Sequence, residues 1–363
     1  MVSSQVIRGC LEQLRTITKI EFCVQDTVGN VVALTEGAAV PEQALTTGFA
    51  QSAADSQIVG NSYYLKVMDD EELQFILTAQ GSSEYTFMVA KIAVSELENL
   101  IVAYKEKFDR SNFFQNLLLD NLLLVDIHNR SKKLHIAGNV RRAIILFEIN
   151  AESEQIASEM LSGLFTVQNG DYLTEVDENS VILIKALDEN EGYKEIEEAA
   201  MTALDMLNME AMVNACGSYG TIVGELKDLS RSYKEARMAM DVGRIFYAGK
   251  RVISYNELGI GRLIYQLPPS LCRMFIQEIF ETGEMTEFDQ EILTTINTFF
   301  ENNLNVSETA RQLFVHRNTL VYRIEKLQKS TGLDIRTFED AMTLKIALMV
   351  SAYMKELDRR HGN

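Results

Sequence analysis

The sequence is short of proline, with three in 363 residues. No Pro- or Ser-rich stretch announces a linker, so domain boundaries have to be read from changes of hydrophobic period. Cysteine is sparse as well. Cys10, Cys23, Cys216 and Cys272 lie far apart without any CxxC spacing, which argues against a zinc ribbon, a redox pair or a disulfide framework and suits buried apolar filler. Long hydrophobic runs are also missing. Leu117 to Val125 and Leu344 to Met354 are interrupted by Asp120 and Lys345 and fall short of the ~20 residues a membrane span needs. The opening MVSSQVIRGCLEQLRT has no basic segment followed by an apolar one, so no secretory signal is expected and the cytoplasm is the expected compartment. No His precedes His128, which deprives the N-terminal part of an imidazole for haem or metal, and no cofactor or metal is called for.

What is present describes a folded chain. Hydrophobic residues make up 47% and charged residues 24%, and the length exceeds what one core usually serves, so two or three domains are expected. The net charge of −18 would by itself count against a nucleic-acid partner. Its distribution reverses that inference. The first 300 residues hold 24 basic against 44 acidic residues, whereas 301–363 hold ten against eight, and Arg311 to Arg336 hold six against two.

Along the chain, residues 3–18 read as a helix, followed by EFCVQD and VVAL as a hairpin around Thr27 to Asn30. Asn61 to Met68 and Leu73 to Gln80 read as a second hairpin joined by an acidic turn, giving a small sensor-type fold. From Phe87 to about Leu124 apolar residues recur at three- and four-residue steps, as in a long connecting helix that also suits dimerisation. A second α/β unit opens with the apolar strand Arg141 to Ile149, then a helix near Ser153 to Leu164, two strands around Val176 to Ser180, a helix in YKEIEEAAMTALDML, a strand at MVNACGSYG and a helix over about Leu226 to Gly243. Pro268 and Pro269 then mark a break.

The C-terminal stretch is the most informative. Ile292, Ile296, Phe299 and Phe300 form an apolar stripe, and Asn305 is placed to cap a short helix running to about Phe314, with Glu308 completing a capping box. Ala310 and Leu313 face inward. After a tight turn a further helix starts near Arg317, with Leu320, Ile324 and Leu327 as its buried stripe. His316, Arg317, Asn318, Thr319, Val321, Tyr322, Arg323, Lys326 and Lys329 are then left to face outward, as candidate DNA-binding residues. Such a helix fits a major groove roughly 12 Å wide, where Arg pairs with guanine, Asn with adenine and methyl groups with thymine. Lys326, Lys329 and Arg336 lie further along and suit phosphates. The same pattern could be a solvated basic hairpin. The order of short helix, tight turn and basic helix, against an acidic background, favours a DNA reader.

The segment NVSETARQLFVHRNTLVYRIEKLQKSTGLDIRTFEDAMTLKIAL resembles the C-terminal domain of the PucR and CdaR (sugar diacid regulator) transcription factors. The family's hRNTLxYR phrase and the TGxDhR turn after it stand here as His316 to Arg336. YNELGIGRLIYQLP and KFDRSNFFQNLLLDN also resemble segments of that family. The resemblance implies a multidomain α+β chain: a PAS/GAF-like sensor over 1–110, a helical linker over 111–139, a degenerate GGDEF-like (cyclase-like) α/β domain over 140–250, a connecting segment over 251–286 and an all-α Fis-like helix-turn-helix over 287–363. It implies double-stranded DNA as partner, a small-molecule effector such as a sugar diacid or related carbohydrate metabolite, and a homodimer or higher homo-oligomer, with no membrane. Arg8, Arg15, Lys19 and Lys66 are too ordinary to select as effector ligands and read as surface charges.

A cyclase resembling the middle unit would place acidic metal ligands after the first strand and a Gly-Gly-Asp-Glu-Phe hairpin against phosphates. Here Glu148 and Asn150 follow the strand, and Val176, Asp177, Glu178, Asn179 and Ser180 replace the hairpin. Without paired glycines the backbone cannot approach a phosphate, and Asn150 weakens Mg²⁺ binding, so no enzymatic activity is expected. The competing readings are a signalling enzyme built on the cyclase-like domain and a protein-interaction scaffold built on the long helix.

Overall fold

The computed structural model describes residues 2–81, 85–210, 212–280 and 290–361. The chain divides into two compact units, Met1–Phe114 with Lys132–Ile136, and Gln115–Ser131 with Ala137–Asn363.

The first unit begins with α1 (Ser4–Thr18), N-capped by Ser3. The expected hairpins form as β1 (Glu21–Gln25) with β2 (Val31–Leu34), and β4 (Ser62–Asp69) with β5 (Glu72–Gln80). In the first turn Asp26 Oδ1 accepts the Val28 and Asn30 amides at 3.0 and 2.8 Å, and Gly29 sits at φ +87°. A Cβ on Gly29 would land 2.5 Å from Gln43 Cγ, so only glycine fits that corner. Two elements were not foreseen: α2 (Gln43–Gln51) and β3 (Ser56–Val59). The antiparallel sheet runs β2-β1-β5-β4-β3. Alternation sorts its strands into two buried faces. Phe22, Val24, Val67 and Leu77 pack with Ile7 and Leu11 of α1 and with Ala90, Ala93 and Leu97 of α3 (Tyr85–Leu118). Tyr64 and Ile76 meet Phe49 of α2 on the other face.

The long helix does not continue to Leu124 as its pattern suggests. It ends at Leu118, Asp120 turns left-handed at φ +58°, and a separate α4 (Leu124–Lys133) follows. The segment expected as a linker therefore contains a helix break.

The second unit contains a sheet of order β10-β9-β6-β8-β7, from β6 (Arg141–Glu148), β7 (Tyr172–Thr174), β8 (Ser180–Leu187), β9 (Cys216–Tyr219) and β10 (Val252–Ser254). All neighbours are antiparallel except β9 and β10. The apolar run of β6 is buried on both sides. Ala143, Ile145 and Phe147 face α5 (Glu154–Leu164) and α6 (Tyr193–Met209), and the opposite face takes α7 (Leu229–Phe246). Close approach there depends on Gly220, whose Cβ would fall 2.0 Å from the Ser232 carbonyl oxygen. Ser232 Oγ accepts the Ile144 amide at 3.1 Å and donates to the Thr221 carbonyl at 2.8 Å, tying α7 to the sheet.

The remaining helices are α8 (Gly259–Tyr265), α9 (Pro269–Ile279), α10 (Gln290–Glu301), α11 (Val306–Gln312), α12 (Arg317–Thr331) and α13 (Phe338–His361). Pro268 and Pro269 mark the break between α8 and α9, with Pro269 the first residue of α9, a position where its missing N–H costs nothing. Ile264, Cys272, Ile276 and Phe280 share one core with Ile296, Phe299, Leu320, Ile324, Leu327 and Leu344. The expected connecting segment thus contributes α8 and α9 to the helical domain. Its proposed end at 286 lies outside the described residues. Of the cysteines, Cys23 and Cys272 are buried, Cys10 is half-buried and Cys216 is exposed. The filler reading fails at Cys216, because it opens β9 where the strand has not yet been covered. Among the described residues no helix is long and apolar enough to cross a membrane.

Candidate nucleic-acid interface

The short helix α11 forms where Asn305 caps it: the side-chain oxygen accepts the Ser307 and Glu308 amides at 3.0 and 3.2 Å. Glu308 does not complete a capping box. Its carboxylate pairs with Arg311 instead, which holds the Glu308 carboxyl below its ordinary value. The helix stops at Gln312, two residues before the expected end. Phe314 takes a left-handed φ of +54° and leaves 96% of its surface exposed. Val315 then returns its amide to the Ala310 carbonyl at 3.0 Å and closes the turn.

The next helix is capped by a residue singled out as a DNA contact. His316 Nδ1 accepts the Asn318 amide at 3.2 Å, so the side chain caps the helix through that nitrogen. The α12 stripe is buried as its spacing requires, with Leu320, Ile324 and Leu327 at 0%, 1% and 2% exposure. Ala310 and Thr309 of α11 are buried beside it. The helix ends at Gly332, φ +75°, whose amide reaches the Gln328 carbonyl at 2.8 Å.

The candidate residues fall into two groups. His316, Arg317, Asn318, Thr319, Tyr322, Lys326 and Lys329 are exposed, and the first five of these gather at the N-terminal half of α12. Val321 and Arg323 are half-buried. Arg323 departs from the outward reading. Its guanidinium donates to Thr295 Oγ1 at 3.1 Å and to Glu291, both on α10, and its side chain is 16% exposed. Position 323 lies three residues after Leu320 and four before Leu327, on the border of the buried stripe, which is the signal that could have placed it inward. The cationic excess counted along the chain is also partly neutralised within the domain, since Arg311, Arg323 and Arg336 are paired with Glu308, Glu291 and Asp334. Phe314 was missed as part of this surface. A Phe in a left-handed turn has no sequence signature.

The cyclase-like position has different chemistry. Glu148, at the end of β6, pairs with Arg244 of α7, and Asp177, in the turn before β8, pairs with Arg237 at 2.7 Å. Burial alone would raise the Asp177 carboxyl, but hydrogen bonds from Ser180, Arg237 and the Asn179 amide outweigh it and hold the group below its usual value. These residues line a cavity of about 250 Å³ with Leu146, Met240 and Asp241. Asn150 is exposed at the head of a 3₁₀ turn, Ala151–Ser153. Glu148 and Asp177 are thus both engaged by guanidinium groups. Among the described residues no group of three His, Cys, Asp or Glu is placed to hold a metal ion.

Comparison with known proteins places both domains. Residues 292–350 match the PucR C-terminal helix-turn-helix domain and residues 121–242 match a GGDEF-like domain. The purine catabolism regulatory protein of Bacillus subtilis (strain 168) is 24% identical over 66% of this chain and 48% of its own length. The chain therefore spans about half the length of that relative. The DNA-binding transcriptional activator AdeR of the same organism is 22% identical over 80% of this chain and 69% of its own. The carbohydrate diacid regulator of Escherichia coli (strain K12) is 22% identical over 74% of this chain and 72% of its own. The chain thus carries a PucR-type helix-turn-helix behind a GGDEF-like domain and is similar along most of its length to regulators of the PucR/CdaR kind.

Proposed function

We propose that the protein is a sequence-specific, DNA-binding transcriptional regulator that acts in the cytoplasm as a homodimer and responds to a small-molecule effector. One observation carries the reading: α12 buries Leu320, Ile324 and Leu327 and turns His316, Arg317, Asn318, Thr319 and Tyr322 outward from the second helix of a helix-turn-helix. That is the end of a recognition helix that meets base edges. Arg317 and Asn318 supply the donors that read guanine and adenine, and Lys326 and Lys329 lie further along toward phosphates. The first unit, five antiparallel strands between helices, supports a PAS- or GAF-type sensor. The family resemblance favours a sugar diacid or related carbohydrate metabolite as its effector.

The alternative, a signalling enzyme, is disfavoured by the ion pairs that occupy Glu148 and Asp177. The test is electrophoretic mobility shift with fragments of the gene's own upstream region at several salt concentrations. The expected result is a specific shift that Arg317→Ala weakens by about 1–3 kcal/mol with relaxed base preference, and whose logarithmic salt slope falls by about one on Lys329→Ala. No shift on any fragment, together with steady Mg²⁺-dependent nucleotide turnover, would overturn the reading in favour of the enzyme.

A further inference from the structure

The helix α3 carries two apolar faces. One, through Ala90, Ala93 and Leu97, is packed into the core of the first unit. A helix that covers a core on one side is ordinarily polar on the other. Here the far side holds Tyr85, Met88, Ile92 and Val102, which leave between 49% and 69% of their surfaces exposed.

Their spacing is regular. Tyr85, Met88, Ile92, Ser95, Asn99 and Val102 follow one another at alternating steps of three and four residues. That is the 3.5-residue seam of a coiled coil, with Tyr85, Ile92 and Asn99 at a positions and Met88, Ser95 and Val102 at d positions. At about 1.5 Å per residue the seam is about 27 Å long. A β-branched Ile at a favours two strands, and a single Asn at a fixes register at some cost in stability. The flanks carry opposite charge. Lys91 falls at g and Glu96 at the following e, both exposed, and in a parallel pair g of one helix faces the next e of the other. The helix is already ordered by the sheet beneath it, so pairing bears little of the cost of forming it.

We propose that two copies of this chain associate in parallel and in register along this seam, with two symmetry-related Lys91–Glu96 contacts across it. The occupant is a second copy because the flanking charges complement themselves under a two-fold axis, as an isologous contact requires. The inference rests on the dimeric regulator reading for its purpose, since two recognition helices need two-fold symmetry, but its test does not involve DNA.

The experiment uses the full chain in sedimentation equilibrium, with circular dichroism to verify folding. Lys91→Glu and Glu96→Lys are each expected to weaken the dimer by about tenfold, because one substitution makes two contacts repulsive. The double swap Lys91→Glu with Glu96→Lys is expected to restore it. In a Cys216→Ser background, Met88→Cys and Val102→Cys should each form a symmetric disulfide on mild oxidation, since paired d positions bring Cα atoms within the ~4.4–6.8 Å a disulfide spans. Cross-linking only on mixing the two cysteine variants would show an antiparallel pair and overturn the proposal. So would a monomer at all concentrations, or a dimer indifferent to all four changes, either of which assigns the stripe to another partner. A dimer with these properties that shifts no DNA would leave this inference standing and remove the regulator reading alone.

Discussion

Arg360 of α13 donates to Asp241 of α7 at 3.0 Å, joining the last helix of the chain to the helix that closes the GGDEF-like sheet. The same carboxylate accepts the Tyr265 hydroxyl at 2.9 Å, and the Tyr265 ring lies 5.6 Å from that of Tyr353. Three helices therefore meet at one aspartate, and Asp241 also lines the cavity beside Arg237 and Arg244. Asp241→Ala removes both partners at once. The pair is part-exposed, so the expected loss is modest, about 1–2 kcal/mol, read as a lower urea midpoint. An unchanged midpoint would show that the helical domain is held to α7 by apolar contacts alone.

Arg323 and Arg317 look alike in sequence and are expected to behave differently. Arg323→Ala breaks the staple between α12 and α10, leaves Thr295 without that donor, and should lower stability by about 1–2 kcal/mol. Arg317 is exposed, and Arg317→Ala should leave stability within about 0.5 kcal/mol while weakening DNA binding. Thermal unfolding and mobility shift on the two variants separate the roles. Equal stability losses would mean that Arg323 is not the structural member of the pair.

Much of this domain was legible because one period governs it. Leu320, Ile324 and Leu327 recur at helical steps and are buried together, and the run in β6 is apolar throughout because both of its faces are covered. What could not be read depended on partners distant in sequence. Nothing local shows that Arg323 meets Glu291, or that Ile264, Cys272 and Ile276, on either side of Pro268 and Pro269, enter the core behind α12. The helix α2 and strand β3 are not legible because each is short, with too few apolar positions to define a period. Phe314 was read as the end of a helix because nothing in a phenylalanine signals a left-handed turn.

Arg142 is the largest fully buried side chain, 2% exposed, and sits on the face of β6 that α7 covers. Its Nε has no hydrogen-bond partner among the described residues, and Nη1 reaches only the Val140 carbonyl at 3.5 Å. Burial pushes the guanidinium below its ordinary value, with Asp171 and Tyr172 acting in the opposite sense. Asp171 itself is paired with Lys185 at 3.1 Å. A buried cation whose counter-charge, Asp171, is shared with Lys185 is costly, and an unbranched apolar side chain of similar length avoids the cost. Arg142→Met is expected to raise stability by about 1–2 kcal/mol in urea unfolding. A loss of similar size would show that the guanidinium is held by a partner, such as a bound anion.

Glu154, the first residue of α5, shares a hydrogen bond with Glu175, and this contact, followed by burial and by the charges of Glu175, Glu178 and Asp177, pushes its carboxyl up to about 7. The folded state therefore holds a proton that the unfolded chain releases near 4.5, the ordinary value for the group. Stability from this proton is fully present below pH 4.5 and is lost as the pH rises through about 7. Glu154→Gln keeps a hydrogen-bond donor toward Glu175 and removes the titration. Urea midpoints compared at pH 5 and pH 8 should fall less in the variant than in the parent protein. If the two fall equally, the carboxylate pair does not share a proton, and the acidic cluster at the start of α5 is no more than a solvated surface.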